Sequence, residues 1–489
     1  MNLLEKRTKI VATVGPASDN PKTIRALIEA GVNVFRINFS HSDPEAARST
    51  VARIHSARED MKLSVAIMAD IKGPAVRMYG YAQKLPLAAD DSLVIESKPP
   101  EGIEALVSPE SNRVYTNLPD IDTLCAIGQR VLLMDGKISG EVISTAEGSV
   151  TVRIGNTEEL RPKAHLTIPN VDYPIAFLSD KDICDITFAV ENEVEYIALS
   201  FVRNATDIEE VRRLVQRSKT HSGRRPVVKL IAKIESAKGL AAADEIFKAA
   251  DGIMVARGDM GVEIDIQAVP IAQKKLIRTG FLAAKPVITA TQMLESMIEA
   301  PIPTRAEASD VANACFDSTS AVMLSGETAI GRFPVKVVET MSNIIEAVEA
   351  EFDYDGFHSH TPEYARTGEL AAVVSYSALS IAYEVNAAGI IVFTKTGHAA
   401  QLISRLRPKM PILAFMRDET VYHQMAMNWG VYPFLLKEPA EGIDTLVATI
   451  LDRCKKECAL KKGDVAVVVA GLPLLHKGTT NMIRVETVL

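Results

Sequence analysis

The sequence is poor in cysteine and shows no pairing pattern for the few it has. Cys125, Cys184, Cys315, Cys454 and Cys458 are odd in number and widely scattered. That excludes a disulfide-stapled secreted scaffold and points to reduced thiols in a cytoplasm. Cys454 and Cys458 fall on one helical face, but no second ligand pair accompanies them, so they read as packing. No stretch approaches the roughly 18 consecutive apolar residues of a membrane span. The opening MNLLEKRTKIVATVG lacks the apolar core of a signal peptide. Basic charge is not in excess either. The formal net charge is -8, which argues against a nucleic-acid or anionic-membrane partner. An anionic ligand must then be held by a few placed cations rather than by the overall field. Internal repeats and low-complexity tracts are also missing.

What is present is a large apolar fraction, 47% of 489 residues, with 24% charged. This is a globular composition with enough length for about two to four domains. Short apolar runs alternate with helical patterns over the first two-thirds of the chain. The strand candidates are Lys9–Val14, Val34–Phe39, Val65–Ala69, Tyr196–Leu199, Val227–Ile234, Gly252–Val255, Pro286–Ala290 and Ala321–Leu324. Helical stretches follow most of them, such as Pro21–Glu29, Asp207–Gln216, Gln267–Ala283 and Pro334–Glu351. This alternation predicts a parallel sheet, and eight such units predict an α/β fold of the (β/α)8 TIM-barrel type over residues 1–74 and 172–350. Each run turns polar or glycine-rich at its C-terminal end, the face where such barrels carry their active sites.

Between Pro74 and about Val171 the helical period disappears. Short β-type runs replace it, at Ser92–Ile95, Arg130–Leu133 and Ser149–Ile154. We read residues 75–171 as an inserted small β-barrel lid domain, entering and leaving at the active-site face, where it can close and exclude water. A new alternating unit fills residues 351–489 and reads as a C-terminal doubly wound α/β domain. Its predicted strands are Gly389–Phe393, Pro411–Phe415, Val431–Leu435 and Asp464–Val469. The His-, Pro- and Tyr-rich segment Asp353–Thr367 reads as the linker before it.

The stretch KLIAKIES, Lys229–Ser236, carries the most chemistry. Along a strand, Lys229, Ile231, Lys233 and Glu235 share one side, and Leu230, Ala232 and Ile234 the other. In isolation, Lys233 and Glu235 are equally well an ion pair at a strand end. A second apolar strand then runs into Asp259, within GIMVARGDMG. Carboxylates from two neighbouring strand ends suit Mg2+, whose shell is completed by water and substrate oxygens. Arg36, Lys72 and Arg77 add positive charge at the same face, and arginine's planar fork favours phosphate. Asn38, Ser40 and Asp70 fit a monovalent cation or a plain strand-end hydrogen-bond network. Gly258 lets a ligand approach the backbone closely. Thr291 and Ser325 place hydroxyls at two further strand ends, as proton relays or as helix caps. Only His41 sits in a strand exit, so a Ser–His–Asp triad is not expected. Phosphoryl transfer fits best, because it rests on positioning and charge stabilisation.

The blocks TKIVATVGPAS, RINFSH, DIKGPAVR, KIES, VARGDMGVEI, ITATQMLESMI, PTRAEASDVANA and VMLSGET resemble those of pyruvate kinases, in the same order. The resemblance runs from near residue 7 to the C-terminus and is weaker in the insertion and the last domain. It implies transfer of phosphate from phosphoenolpyruvate to ADP, giving pyruvate and ATP, in glycolysis. It assigns Lys233 to the transferring phosphoryl group and the enolate, and Arg36 to phosphate. Glu235 and Asp259 would hold Mg2+. Asn38, Ser40, Asp70 and the carbonyl of Ile71 would hold K+. Gly258, Asp259 and Thr291 would bind the substrate carboxylate, and Thr291 and Ser325 would lie on the proton path. His41, Arg77 and Lys163 would face the nucleotide, and Asp135 would swing in from the lid. The family is commonly a homotetramer with an effector site in its C-terminal domain. Thr394, Lys395, Thr396 and Gly397 resemble that site's phosphate-binding loop.

Four positions depart from the family pattern. Ile71 replaces a Thr. Ala75 replaces the Glu of potassium-dependent members and the Lys of independent ones. Ala399 stands where a Ser is usual, and His398 where activated eukaryotic forms carry Arg. These changes favour a sugar monophosphate or a nucleotide as effector over fructose 1,6-bisphosphate. Two other readings share the barrel: a Mg2+-dependent aldolase or lyase acting on an oxo-acid, and a non-catalytic sensor of phosphorylated metabolites. The first does not explain a nucleotide-sized lid. The second has no need of Lys233, Glu235 and Asp259 together.

Overall fold

Eight short segments are buried on both faces, and that is why they read as unbroken apolar runs. They are β1 (Lys9–Thr13), β2 (Val34–Asn38), β3 (Ala66–Ile71), β4 (Tyr196–Leu199), β5 (Lys229–Ile234), β6 (Gly252–Ala256), β7 (Val287–Ala290) and β8 (Ala321–Leu324). The computed structural model describes residues 6–40, 44–97, 112–223, 225–360, 369–437, 442–458, 460–473 and 480–489. The eight strands form one closed parallel barrel in sequence order, with β1 pairing β8. Alternation along β5 divides its side chains as expected. Ile231 joins the barrel interior, while Leu230, Ala232 and Ile234 pack outward under the helices.

The segment between β3 and β4 forms a seven-stranded sheet. Its edges are Met78–Tyr79 and Leu166–Thr167. The edges meet through a bridge between Arg77 and His165, with the Met78 N–H donating to the Ala164 carbonyl at 2.9 Å and the Leu166 N–H to Val76 at 3.1 Å. That seam closes the sheet into a small barrel. Val150, Val152 and Ile154 point into its core, while Arg153 between them stays in solvent, the expected period of two.

The last domain has a five-stranded sheet. Its strands are β9 (Gly389–Phe393), β10 (Ile412–Met416), β11 (Val431–Leu435), β12 (Val465–Gly471) and β13 (Thr480–Thr487), in the order β11-β10-β9-β12-β13. Successive residues of β9 enter opposite layers. Ile390 and Val392 meet Leu379 and Ile403 on one side, and Ile391 and Phe393 meet Leu446 and Ile450 on the other. This is the expected doubly wound arrangement, with one addition. β13 runs antiparallel to β12 and was not expected, because its alternating charges, such as Arg484 and Glu486, resemble an exposed coil. Cys454 and Cys458 are buried in this core, as their common helical face predicts.

The expected linker needs a correction. Tyr354–His360 forms a helix, and its aromatic residues anchor it. Phe357 meets Phe281 edge-on, and His358 stacks on Tyr383 with ring centroids 4.2 Å apart. Spacings of three and four residues place these rings on one helical face. Residues 361–368 lie outside the described residues.

The α/β domain seals the N-terminal mouth of the large barrel. Ala426 and Met427 belong to the same apolar cluster as the barrel interior. The Ser64 hydroxyl donates to the Tyr422 carbonyl at 2.8 Å, and Lys9 Nζ donates to the Val431 carbonyl at 2.9 Å. The opposite mouth, where the strands end, is left to the lid.

Candidate active site

β2, β3, β4 and β5 bring a charged cluster together at the C-terminal mouth. Asn38 is in register with Asp70, and Asp70 in turn with Ala198 on β4. Arg36 Nε donates to Asp70 Oδ2 at 2.6 Å, and its Nη1 donates to Thr13 Oγ1 at 3.0 Å. The other Asp70 oxygen lies 3.3 Å from Lys233 Nζ. Lys233 also donates to Ser200 Oγ at 2.7 Å and lies 3.0 Å from Glu235 Oε1. The Ser200 hydroxyl in turn donates to the Ile71 carbonyl at 2.7 Å. Lys233 is 8% exposed, Asp70 1% and Glu235 0%, so these are buried ions.

Each charge depends on the others. Burial by itself would raise the Asp70 pKa, but Arg36 and Lys233 hold the carboxyl below its ordinary range. Burial by itself would lower Lys233, but Asp70 and Glu235 raise it instead. Glu235 is pushed up to about 7, by burial first and by the like charge of Asp259, against the pull of Lys233. Its Oε2 accepts the Phe201 N–H at 2.6 Å, whereas its Oε1 is buried with no directed hydrogen bond. A buried carboxylate oxygen whose sole close partner is the Lys233 ammonium, and which feels the like charge of Asp259, suits the donor set of a hard divalent cation. Among the described residues no cluster of three or more acidic, His or Cys ligands exists, so two carboxylates must share the shell with water and substrate. That division is usual for Mg2+.

Asp259 lies in the first turn of a short helix, Arg257–Glu263, which starts directly after β6. Arg257 fixes that turn by donating to both Asp310 oxygens at 2.8 and 2.7 Å and to the Thr291 carbonyl at 2.6 Å. The Gly258 N–H donates to Thr291 Oγ1 at 2.8 Å, and Thr291 itself is held at φ 70°. Ser325 ends β8, and its N–H donates to Glu327 at 2.7 Å. Of the expected potassium ligands, the Ser40 N–H donates to Asn38 Oδ1 at 3.1 Å, Asp70 is shared by two cations, and the Ile71 carbonyl accepts from Ser200.

His41 lies outside the described residues. Arg77 and Lys163 meet at the lid seam, where Arg77 Nη1 donates to the Lys163 carbonyl at 2.9 Å. Both act on Lys72, whose pKa is lowered by burial first and then by Arg77, with Lys181 and Lys163 adding to it against Asp182. Asp135 pairs with His165 at 3.1 Å in the lid. Far from this mouth, Thr394 Oγ1 accepts the Gly397 N–H at 3.0 Å, Lys395 and Thr396 are exposed, and His398 pairs with Glu369 at 2.8 Å. Sequence reasoning missed Ser200, Arg257 and Lys181 as members of these clusters. Ser200 and Arg257 follow strand ends directly, which was the available signal.

Comparison with known proteins agrees with this geometry. The family model for the pyruvate kinase barrel domain matches residues 5–338, and that for the pyruvate kinase alpha/beta domain matches residues 372–486. A pyruvate kinase of Geobacillus stearothermophilus is 38% identical over 99% of this chain and 81% of its own. One from Clostridium acetobutylicum is 36% identical over 99% of this chain and 100% of its own. A crystal structure of a pyruvate kinase from Cryptosporidium parvum superposes with a TM-score of 0.93 at 32% identity, covering 100% of this chain and 97% of that one.

The Glu235 pKa of about 7 makes divalent-cation binding compete with a proton. We predict that Mn2+ affinity without substrate, read by electron paramagnetic resonance, falls by up to about tenfold per pH unit below neutrality and levels off above it. Affinity flat from pH 6 to pH 8 would show that no proton on Glu235 competes with the cation in that range.

Proposed function

The chain belongs to the pyruvate kinase family, and from that premise we propose that it transfers the phosphoryl group of phosphoenolpyruvate to ADP, giving pyruvate and ATP, as a cytoplasmic step of glycolysis. The observation that carries this reading is the buried Lys233 ammonium, held by Asp70, Glu235 and Ser200 at the C-terminal mouth of the barrel.

In the reaction, the bond from phosphorus to the enol oxygen breaks and a bond to an ADP β-phosphate oxygen forms. A proton then reaches the carbon of the enolate. Lys233 lies where negative charge passes from phosphate to enolate, in a water-poor setting that strengthens its effect. Arg36 has its Nε and Nη1 engaged by Asp70 and Thr13, which aims the rest of its fork at the moving phosphoryl group. The N–H groups of Gly258 and Asp259, with the Thr291 hydroxyl, hold the substrate carboxylate. Thr291 and Ser325 carry the proton. Glu235 and Asp259 hold Mg2+, which when bound offsets charge on the phosphate and enolate oxygens. Asn38, Ser40, Asp70 and the Ile71 carbonyl hold K+. Arg77 and Lys163, with His41, receive the diphosphate of ADP as the lid closes, and Lys72 and Lys181 add charge there. The loop Thr394–Gly397 takes the phosphate of a monophosphorylated sugar or nucleotide as effector, and the protein works as a homotetramer.

Three expected outcomes test these assignments. Lys233→Met lowers ADP- and Mg2+-dependent pyruvate release by roughly 100- to 1000-fold, the scale for losing one preorganised charge stabiliser. Near-normal turnover would remove Lys233 from the mechanism, and pyruvate release without ADP would mean transfer of the phosphoryl group to water rather than to a nucleotide. Replacing K+ with tetramethylammonium lowers turnover, whereas equal rates in both salts would leave the Asn38–Asp70 oxygens as a structural network. Lys395→Ala abolishes activation across a panel of hexose and nucleoside monophosphates while basal turnover persists; activation that survives the change would place the effector elsewhere.

A further inference from the structure

A cavity of about 330 Å³ lies where the chain leaves the large barrel for the lid and where it returns. It does not include Lys233, Glu235 or Asp259. Its walls are largely apolar, with Val76 and Leu166 from the lid, Ile175 from the returning strand and Phe201 from the end of β4. Four charged side chains also reach it, Arg203, Asp172, Lys238 and Glu263, and the first three are already satisfied. Arg203 donates to Asp207 and to the Tyr173 and Ile175 carbonyls, and Lys238 pairs with Asp172. The fourth is Glu263, the last residue of the helix that begins with Arg257. It is 8% exposed, and among the described residues its carboxylate has no hydrogen bond or ion pair. A largely buried carboxylate without a protein partner is usually matched by a ligand, an ion, water or a proton.

We propose that this hinge cavity binds a small amphipathic ammonium compound of the aralkylamine class. Its charged head sits on Glu263, and its ring lies against Phe201, Val76 and Ile175. A bare hard cation fits less well. Asp172 is committed to Lys238, and the other wall oxygens, from Thr167, Asn170, Tyr173 and Ser236, are neutral, so Glu263 alone would offer a hard cation uncommitted negative charge. Both connecting segments of the lid wall the cavity, so an occupant bridges lid and barrel and restrains the swing between them. The site is therefore a means of holding the lid, and it does not depend on the identity of the reaction beneath.

The test is calorimetric titration of the full chain, without substrates, using 2-phenylethylammonium chloride and, as the charge-reversed counterpart, sodium 3-phenylpropionate. The expected result is saturable binding of the amine alone. Glu263→Gln should weaken it about tenfold or more, the usual scale for a charged hydrogen bond. Ala75→Phe, which fills the cavity from the lid side, should abolish it, and this variant carries the test if Glu263→Gln does not fold. Three results would overturn the proposal: no binding of the amine to the unaltered chain, equal binding of the amine and the carboxylate, or amine affinity unchanged in the folded variants.

Discussion

An ammonium buried at the mouth of a barrel of apolar strands constrains nearly everything around it. Removing one ion from water costs several kcal/mol even after relaxation, so Lys233 has to be compensated on the spot. Asp70 does half of this and is itself compensated by Arg36, which is held by Thr13. Glu235 does the other half, and Ser200 accepts one of the remaining ammonium protons. The linked side chains come from β1 and β2, from β3, and from the exits of β4 and β5. A single pair of strands offers too few adjacent positions for such a set. A closed barrel presents several rigid ends around one point, which keeps the charges oriented before any substrate arrives.

The same logic assigns the two mouths of the barrel different duties. The N-terminal mouth is closed by the α/β domain, whose Ala426 and Met427 complete the interior cluster. That end is dry enough to lower the pKa of Lys9 to about 7 and that of Lys229 to about 8, both by burial. Neither lysine has a carboxylate placed to restore it as Lys233 has, and that difference in surroundings sets Lys233 apart from its neighbours of the same type. The C-terminal mouth must stay open to reactants. Its cover is a separate small barrel joined by two connecting segments, stiff within itself through the Arg77–His165 seam and attached only at its base.

Much of this was readable from the chain alone. A polar cluster at the end of an apolar run marks a barrel strand end, and the switch from a helical to a two-residue period marks the lid. The failures have a common physical source. Ser200 is one serine among many until the fold places it between Lys233 and the Ile71 carbonyl. Tyr354–His360 reads as a linker by composition, yet its rings find Phe281 and Tyr383, partners distant in sequence. β13 alternates charged residues because it is an edge strand with one half-exposed face, and its pairing with β12 is set by that strand rather than by its own pattern. Local sequence records local preference, whereas convergence of distant residues appears only in three dimensions.

The charge of the chain illustrates the same division. A net charge of -8 gives an acidic protein, which repels polyanions at long range. Beneath the lid, however, Lys72 feels Arg77, Lys181 and Lys163 strongly enough that, with burial, its own pKa is lowered. Lys181 is partly offset by Asp185, but the group as a whole favours a ligand with several negative charges close together. Salt at physiological strength screens fields beyond about 8 Å, so the global charge governs solubility and the local cluster governs capture. The acidic surface and the basic cluster are therefore not in conflict: one keeps the chain dispersed, and the other concentrates positive charge at one mouth of the barrel.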